Sequence, residues 1–210
     1  MGLMMVFQGD IWSTGLDVSP GEVEALGQIL STDEWERADR FKFPRHKRRF
    51  IVARGRLRQI LARYLHLAPQ DIVFTYSQEG KPALEWSDLC FNLSHTGDLA
   101  IYGISWHGAI GIDLEFIRPV GSLLSLTKKY FCESEQKIIE RSENQTQTFF
   151  RIWTAKEAYL KATGEGIAGG LQQIEISLEP SLQGSVKGWI LRELPLEPDY
   201  VCTLCYRSQD

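Results

Sequence analysis

Two hydrophobic periods alternate along this chain, one typical of helices and one typical of strands. Apolar residues recur at helical spacing after Ser19, after Ser31 and, over the longest stretch, after Pro44, which predicts three helices. The same spacing returns over residues 134–141 and 148–163. Apolar runs bounded by turn signals predict the strands, which we place at residues 6–12, 72–76, 89–93, 99–104, 109–116, 173–178, 185–191 and 200–207.

The order of these elements is similar in the two halves of the chain. Each half has a helical block followed by several strands, and the first half ends near His107 and Gly108. No residue-level repeat accompanies this order, so the order alone suggests two related subdomains. The pattern predicts an α+β fold with subdomains at residues 1–107 and 108–210. A site between two such halves would suit an elongated ligand.

Composition and charge argue against several classes of protein. The 210 residues carry a formal net charge of −4 and have a pI of about 5.7, whereas a general nucleic-acid binder would have a basic surface. No apolar run reaches the length of a membrane span, and the apolar start has no cationic leader or cleavage signature. Four cysteines in a chain of this size indicate reduced thiols. We therefore expect a cytoplasmic protein that binds neither nucleic acid nor membrane.

One predicted strand and one predicted helix carry acidic residues that suit a metal ion. The strand period over residues 111–115 sends Asp113 and Glu115 to one face and the apolar residues to the other. The last predicted helix adds Glu157, with lysines close by in sequence. Three carboxylates beside lysines suit a hard divalent cation shared with a substrate phosphate. The alternatives are a solvated edge strand and a solvated helix face on which Glu157 pairs with Lys161.

Three further segments carry polar groups that suit an anionic ligand. Ser94 and His95 follow a predicted strand, so a hydroxyl and an imidazole would lie at its end. No Gly-x-Ser-x-Gly segment surrounds Ser94, which argues against a serine hydrolase. Lys81 lies in a predicted tight turn. The helix after Pro44 carries a dense row of basic residues, which suits local recognition of an anion, although such a row is more often a solvated face.

Four segments, in this order, together resemble the 4′-phosphopantetheinyl transferases of the surfactin-synthetase-activating type. Each segment is a weak signal alone, but the ordered set is specific. With the basic residues from position 37 onward it spans positions 37–161. The chain length is also similar to that of the monomeric, pseudo-dimeric members of the family. The segments are Gly80-Lys-Pro82, Phe91-Asn-Leu-Ser-His95, Gly111-Ile-Asp-Leu-Glu115 and Phe150-Arg-Ile-Trp-Thr-Ala-Lys-Glu157-Ala-Tyr-Leu-Lys161.

The resemblance implies a fold, a reaction and a set of partners. The fold would be α+β, with two similar α/β subdomains related by pseudo-two-fold symmetry and the ligand site between them, in a monomer. The family uses Mg²⁺ and transfers the 4′-phosphopantetheine arm of coenzyme A to a serine of an apo carrier protein, releasing adenosine 3′,5′-bisphosphate. The partner would be an acyl carrier protein or a carrier domain of a polyketide or nonribosomal peptide synthase, and the sequence does not distinguish these.

The resemblance also implies roles for individual residues. Those that match Asp113, Glu115 and Glu157 hold Mg²⁺ against the pyrophosphate. Glu157 is our first choice for the base that takes the serine proton, directly or through a bound water, and Glu115 is the second. Lys161 would neutralise the leaving group and so belongs with the catalytic residues. The remaining implied contacts are Arg37, Arg49, Lys81, Ser94 and His95 around the nucleotide and its 3′-phosphate, and Lys156 with Lys161 at the pyrophosphate.

Two other classes of function could use the same residues. A Mg²⁺-dependent phosphohydrolase would use the carboxylates to activate water and would need no protein acceptor. A non-catalytic module would bind coenzyme A or a carrier protein without turnover. The presence of all three carboxylates and of Lys161 argues against the non-catalytic module. Only a transferase would add phosphopantetheine to a carrier.

Overall fold

The computed structural model describes residues 7–166, 170–178, 182–186 and 188–207, which form a mixed α+β fold of helices and antiparallel sheets. The helices are α1 (Pro20–Gly27), α2 (Thr32–Asp39), α3 (Pro44–Leu65), α4 (Leu123–Tyr130), α5 (Glu133–Arg141) and α6 (Gln145–Thr163). The strands are β1 (Asp10–Gly15), β2 (Phe74–Tyr76), β3 (Pro82–Leu84), β4 (Cys90–Thr96), β5 (Leu99–Ser105), β6 (Ile110–Phe116), β7 (Gln183–Val186), β8 (Trp189–Glu193) and β9 (Tyr200–Arg207).

Local sequence explains where the first three helices begin. The Ser19 hydroxyl accepts a hydrogen bond from the amide of Glu22 at 3.3 Å and so caps α1. At the start of α2, the Glu34 carboxylate accepts from the backbone amide of Ser31 at 3.1 Å, as in a capping box. Pro44 lacks an amide hydrogen and occupies the first turn of α3. The three helix starts predicted from the sequence are confirmed.

The first half of the chain builds a three-stranded antiparallel sheet with one long helix packed on it. The strand order is β1-β5-β4. Apolar side chains of α3 and of this sheet form one core, and the Tyr102 hydroxyl on β5 donates to the carbonyl of Ala53 in α3 at 3.1 Å. Strands β2 and β3 pair as a separate antiparallel sheet before β4. This arrangement fixes α3 as one wall of the region beside β4.

The second half has a similar plan, with α6 packed on a four-stranded antiparallel sheet. The strand order is β6-β9-β8-β7, and α6 lies against β6 and β9. On β6, Ile112 and Leu114 join an apolar cluster, whereas Asp113 faces α6 through Lys161. The predicted alternation of faces on this strand is therefore confirmed. The division of the chain at 107/108 falls in the connection between β5 and β6, and we retain it as a proposal.

Strands β4 and β6 lie side by side but belong to different sheets, and side chains join them. The Asn92 amide oxygen accepts from the backbone amide of Ile112 at 2.8 Å. The Ser94 hydroxyl accepts from the backbone amide of Leu114 at 3.2 Å. These two bonds, which we call the seam, satisfy buried amides of β6 that would otherwise lack partners. The seam also brings Ser94 next to Asp113.

Several strand predictions were wrong. In the predicted strand at 173–178, Gln173 ends a short 3₁₀ turn and the following residues lie outside the sheets. The single strand predicted at 185–191 is two strands, β7 and β8, because the chain turns at Gly188 with φ of +82°. Because apolar residues lie on both sides of that glycine, the sequence pattern predicts one continuous strand there. The first strand begins at Asp10, and residues 1–6 of the chain lie outside the described part.

Two further differences concern the surroundings of the site. Strand β4 continues to Thr96, so Ser94 and His95 lie within the strand and not at its end. Helix α4 was not predicted from the sequence. Among the described residues, each helix is too short or too polar to cross a membrane.

Candidate functional site

A cleft of about 620 Å³ lies between the two halves of the chain. Helices α2 and α3 and strand β4 form one wall, and α6 with the turn after it forms the other. The cleft therefore lies where the element order predicts a site between subdomains. The charged and titratable residues that line it include Arg37, Arg54, Lys81, His95, Glu157 and Lys161.

Helix α6 approaches β6 so closely that only glycine fits at position 111. A Cβ atom there would lie 2.0 Å from the carbonyl oxygen of Ala158 and 2.4 Å from the amide nitrogen of Ala162. Both distances are far below van der Waals contact between such atoms. The glycine in the segment Gly111-Ile-Asp-Leu-Glu115 thus allows one face of α6 to meet the acidic face of β6.

Asp113, Ser94 and Lys161 form a hydrogen-bonded cluster in this contact. Asp113 Oδ1 accepts from Lys161 Nζ at 2.6 Å and from Ser94 Oγ at 3.0 Å. Lys161 Nζ also donates to Ser94 Oγ at 3.2 Å and to the carbonyl of Ile112 at 3.3 Å. Ser94 donates once and accepts from both Lys161 and the Leu114 amide, which uses its bonding capacity. In this arrangement Ser94 positions its neighbours, and its predicted contact with a ligand stays a prediction.

Glu157 and Glu115 complete the acidic group, and their pKa values are both raised. Burial, followed by the charge of Asp113, raises the pKa of Glu157 to about 7, although Lys161 acts in the opposite direction. Burial and Asp113 also raise the pKa of Glu115, whereas Arg118 lowers it. Near neutral pH, Glu157 is therefore partly protonated. A carboxyl group with its pKa near 7 is suited to proton transfer.

The donor atoms of this acidic group fit a hard divalent cation. Asp113 Oδ2 and Glu157 Oε1 are buried and lack hydrogen-bond partners, which is costly for a carboxylate unless a cation meets it. Oxygen ligands of this kind are those that Mg²⁺ prefers. Across the described ranges, no three His, Cys, Asp or Glu side chains already converge on one ion position. Asp113 is engaged by Lys161 and Glu115 by Arg118, so an ion would exchange with these cations.

His95 lies in a cationic corner at one end of the cleft. A second cavity of about 300 Å³ adjoins the cleft there and shares His95 with it. Burial lowers the pKa of His95, and the nearby Lys161, Arg49 and His46 lower it further. The imidazole is therefore neutral near pH 7 and would gain a proton when a phosphate enters. Arg49 itself donates to Asp98 at 2.7 Å.

Lys81 caps the C-terminal end of α6. Its ammonium donates to the carbonyls of Lys161, Ala162 (3.3 Å) and Ile110 (3.5 Å). Burial lowers the pKa of this lysine, and a cation at this end of a helix is stabilising. Lys81 lines the cleft, but its donors face backbone carbonyls, so this arrangement does not support the predicted contact with a phosphate.

Lys156 is fully buried on the side of α6 away from the cleft. Its ammonium lies 2.6 Å from Glu135 Oε2 and donates to the carbonyls of Leu171 at 2.7 Å and Ile174 at 2.6 Å. These three acceptors use all three N–H groups of the lysine. This arrangement does not support the predicted contact of Lys156 with a pyrophosphate, because the ammonium has no donor left for one. Neither Lys156 nor Glu157 lies on a solvated helix face.

Arg54 is a cleft residue that the sequence analysis missed. It lies on the predicted basic row of α3, yet only 4% of it is exposed. Its Nε lies 3.1 Å from Glu34 Oε1, and its Nη2 donates to the Tyr76 hydroxyl at 2.6 Å. Arg54 and the predicted residue Arg37 both lie near the Phe50 ring, at 6.0 and 5.7 Å from its centroid. No local sequence signal pairs Arg54 with Glu34, since their elements meet only in the fold.

The basic row of α3 is less available to a ligand or partner than the sequence suggests. Arg58 is buried and donates to Glu34 at 2.6 Å. Four of the more exposed members have an acidic partner, so the charge of these four is largely compensated locally. These pairs are Lys47–Asp39 (2.7 Å), Arg48–Asp17 (2.9 Å), Arg49–Asp98 (2.7 Å) and Arg56–Glu22.

Comparison with known proteins gives consistent matches over nearly the whole chain. The family model described as "4′-phosphopantetheinyl transferase superfamily" matches residues 109–205, and the one described as "4′-phosphopantetheinyl transferase, N-terminal" matches residues 17–105. The 4′-phosphopantetheinyl transferase HetI of Nostoc sp. is 44% identical over 91% of this chain and 84% of that protein. The 4′-phosphopantetheinyl transferases of Bacillus pumilus and Bacillus subtilis (Sfp) are 28% and 25% identical, over 89% and 92% of this chain and 83% and 89% of those proteins.

Proposed function

The chain belongs to the 4′-phosphopantetheinyl transferases, and from this premise we propose that it moves the phosphopantetheine arm of coenzyme A to a serine of an apo carrier protein. The second product is adenosine 3′,5′-bisphosphate, and the reaction depends on Mg²⁺. The carrier is an acyl carrier protein or a carrier domain of a polyketide or nonribosomal peptide synthase, and the enzyme acts as a monomer.

The buried acidic group beside Lys161 supports this proposal most directly. Asp113 and Glu157 each present a carboxylate oxygen without a hydrogen-bond partner, and Lys161 Nζ lies 2.6 Å from Asp113. This combination suits a divalent cation and a substrate with several phosphate charges. The cleft between the halves, with a volume of about 620 Å³, has the size of a small-molecule site.

The chemistry requires a base at the acceptor serine. A serine hydroxyl is a poor nucleophile until its proton is removed, and Glu157 is the residue that we propose for this role. The serine oxygen forms a bond to the phosphorus that carries the pantetheine arm, and the bond from that phosphorus to the bridging oxygen breaks. The serine proton passes to Glu157, directly or through a bound water. Glu115 is the second candidate for the base.

The charge of the leaving group must be neutralised as it departs. Lys161 provides a fixed ammonium at this position, held by Asp113 and Ser94. The carboxylates of Asp113, Glu115 and Glu157 would hold Mg²⁺, which when bound neutralises charge on the pyrophosphate. Preorganised charges of this kind supply much of the rate enhancement in phosphoryl transfer.

The nucleotide end of coenzyme A would lie in the cationic corner. We propose that His95 contacts the 3′-phosphate and that Arg37 and Arg49 provide further positive charge there. Arg54 adds a buried cation to the same wall of the cleft. Lys81 and Ser94 support this region through backbone and side-chain bonds.

The carrier protein would approach the acidic group from the side of α4. Phe116 follows Glu115 directly on β6 and is 39% exposed, and Leu124 on α4 is 57% exposed. Lys128 and Lys129 lie in the last turn of the same helix. Exposed apolar residues with lysines beside them suit an acidic carrier surface. Most basic residues of α3, in contrast, are already paired.

One assay separates the transferase from its alternatives. Coenzyme A, Mg²⁺ and an apo carrier are incubated with the enzyme, and the intact carrier is weighed by mass spectrometry. The transferase adds the phosphopantetheine mass to the carrier. A phosphohydrolase would cleave coenzyme A without a change in carrier mass, and a binding module would leave both unchanged. A panel of apo carriers identifies the preferred acceptor.

His95→Ala should weaken coenzyme A more than it weakens 3′-dephospho-coenzyme A. A charge-assisted hydrogen bond to the 3′-phosphate is worth roughly 1.5–3 kcal/mol, or about ten- to a hundred-fold in affinity. The measurement is the affinity of each ligand for both proteins by calorimetry. An equal loss for the two ligands would mean that His95 does not contact the 3′-phosphate.

The same contact makes the affinity for coenzyme A depend on pH. The pKa of His95 is lowered in the free protein, and a bound phosphate would raise it. Binding therefore takes up a proton. The affinity is greatest below the pKa of the free protein and falls as pH rises through the higher pKa of the complex. The His95→Ala protein should lack this dependence, and a slope that persists in it would assign the proton to another group.

Cation binding should show the opposite dependence on pH. The pKa of Glu157 is raised to about 7 before an ion binds, so below pH 7 the ion must displace a proton. The apparent affinity for Mn²⁺ or Mg²⁺ should rise by up to about tenfold per pH unit below pH 7 and level off above pH 8. Glu157→Gln should flatten this curve. An equally steep curve in that variant would assign the proton to Glu115.

A further inference from the structure

Arg118 is held in a fixed position at the edge of the acidic group. Its Nη1 donates to Glu115 Oε2 at 3.2 Å and to the carbonyl of Phe116 at 3.1 Å. The guanidinium also lies 5.5 Å from the centroid of the Phe150 ring. These three contacts come from β6 and α6, so they orient the guanidinium although 55% of the side chain is exposed.

Two cations, Lys161 and Arg118, act on the three carboxylates of the acidic group. Asp113 is paired with Lys161 at 2.6 Å, and Glu115 is paired with Arg118. Arg118 lowers the pKa of Glu115 and Lys161 lowers it further, whereas Lys161 but not Arg118 acts on Glu157. The influence of Arg118 is therefore directed at one carboxylate. That carboxylate must leave Arg118, at least in part, if it is to join Asp113 and Glu157 around an ion.

We propose that Arg118 is a positioning residue that competes with the divalent cation for Glu115 and so weakens cation binding in the absence of substrate. This inference rests on the proposed function, which supplies the ion. Without Arg118, one positive charge that offsets the repulsion between Glu115 and Asp113 is lost. An incoming cation then gains more from binding. Arg118 thus keeps the acidic group compensated until the cation and coenzyme A arrive together.

The test is the affinity of the unliganded protein for Mn²⁺ alone, measured at pH 8 and fixed ionic strength. The free Mn²⁺ signal in electron paramagnetic resonance gives the dissociation constant, and Mg²⁺ is added as a competitor. Arg118→Gln should bind Mn²⁺ roughly two- to five-fold more tightly, which corresponds to the worth of an exposed ion pair. Arg118→Lys keeps the charge but loses the forked donor, so it should give an intermediate value.

A matched control removes the same charge elsewhere in the same half of the chain. Lys137 pairs with Glu133 at 2.7 Å on the exposed surface of α5 and does not contact the acidic group. Lys137→Gln should leave the Mn²⁺ affinity within about 1.5-fold, because salt screens charges beyond about 8 Å. A gain as large as that of Arg118→Gln would indicate a general effect of net charge and would overturn the inference.

A double variant isolates the pair itself. If Arg118 acts through Glu115, Arg118→Gln should have no effect on Mn²⁺ affinity in a Glu115→Gln background. A gain that persists there, or no gain in the wild-type background, would overturn the inference while leaving the proposed function intact. Failure of the wild-type protein to bind Mn²⁺ would instead overturn the ion site of the proposed function. Equal unfolding temperatures of the variants ensure that only folded proteins are compared.

Discussion

Glu157→Gln should lower kcat by roughly 10²–10⁴, the usual worth of general base catalysis. The substitution keeps the size of the side chain and one oxygen, but it removes the charge and the basicity. The pKa of Glu157, about 7 before an ion binds, places the native carboxylate in the range where proton transfer is effective near neutral pH. Coenzyme A affinity should fall much less, because Asp113 and Glu115 remain available to an ion.

Single-turnover rates and coenzyme A affinity, measured across a Mg²⁺ titration, give this prediction three distinct outcomes. A loss confined to the rate identifies Glu157 as the base. A joint loss of rate and affinity that excess Mg²⁺ restores makes Glu157 an ion ligand first and leaves the base to Glu115 or a bound water. A change below about 1 kcal/mol would mean that Glu157 has neither role. Glu140→Gln, on the exposed side of α5, is the control: it makes the same substitution away from the acidic group and should leave the rate and the affinity unchanged.

Lys156→Met should destabilise the protein by about 3–5 kcal/mol, the usual effect of removing one partner of a buried ion pair. The carboxylate of Glu135 would remain fully buried without its cation. Within the described part of the chain, it would keep the backbone amides of Cys132 (2.9 Å) and Ile176 (2.8 Å) as donors. The carbonyls of Leu171 and Ile174 would lose their donor as well. Urea denaturation of both proteins measures the change.

Two controls separate this structural role from ligand binding. The double variant Lys156→Met with Glu135→Gln removes the orphaned charge and keeps an acceptor for one of the two amides, so it should recover part of the lost stability. Lys137→Gln on the surface should change stability by less than about 0.5 kcal/mol. A contact of Lys156 with pyrophosphate would predict the reverse: normal stability and weakened coenzyme A binding.

The features that sequence predicted well are those that neighbouring residues determine. The helix starts at Ser19, Ser31 and Pro44 depend on side chains within three or four positions, and the structure confirms them. The two faces of β6 follow from the strand period alone. Gly111 belongs to one of the segments that carry the family resemblance. The structure shows why a glycine is needed there: α6 approaches the backbone of β6 too closely for a side chain.

The features that sequence missed depend on partners that are distant along the chain. Lys156 precedes Glu157 and shares a motif with it, yet helical geometry sends the two side chains in different directions, and the partners of Lys156 lie 15 to 21 positions away. Arg54 and Arg58 belong to a basic row, but both are buried and form ion pairs with Glu34. A pattern of charges along a helix does not reveal which members have a partner in another element.

The seam between β4 and β6 affects how the orientation of the two halves can change during evolution. A ladder of backbone hydrogen bonds tolerates almost any side chain, so sequence drift leaves it intact. The seam instead depends on the identities of Asn92 and Ser94. Single substitutions at these positions can alter how one half is set against the other while both cores keep their composition. The geometry of the cleft is thus open to selection through two codons.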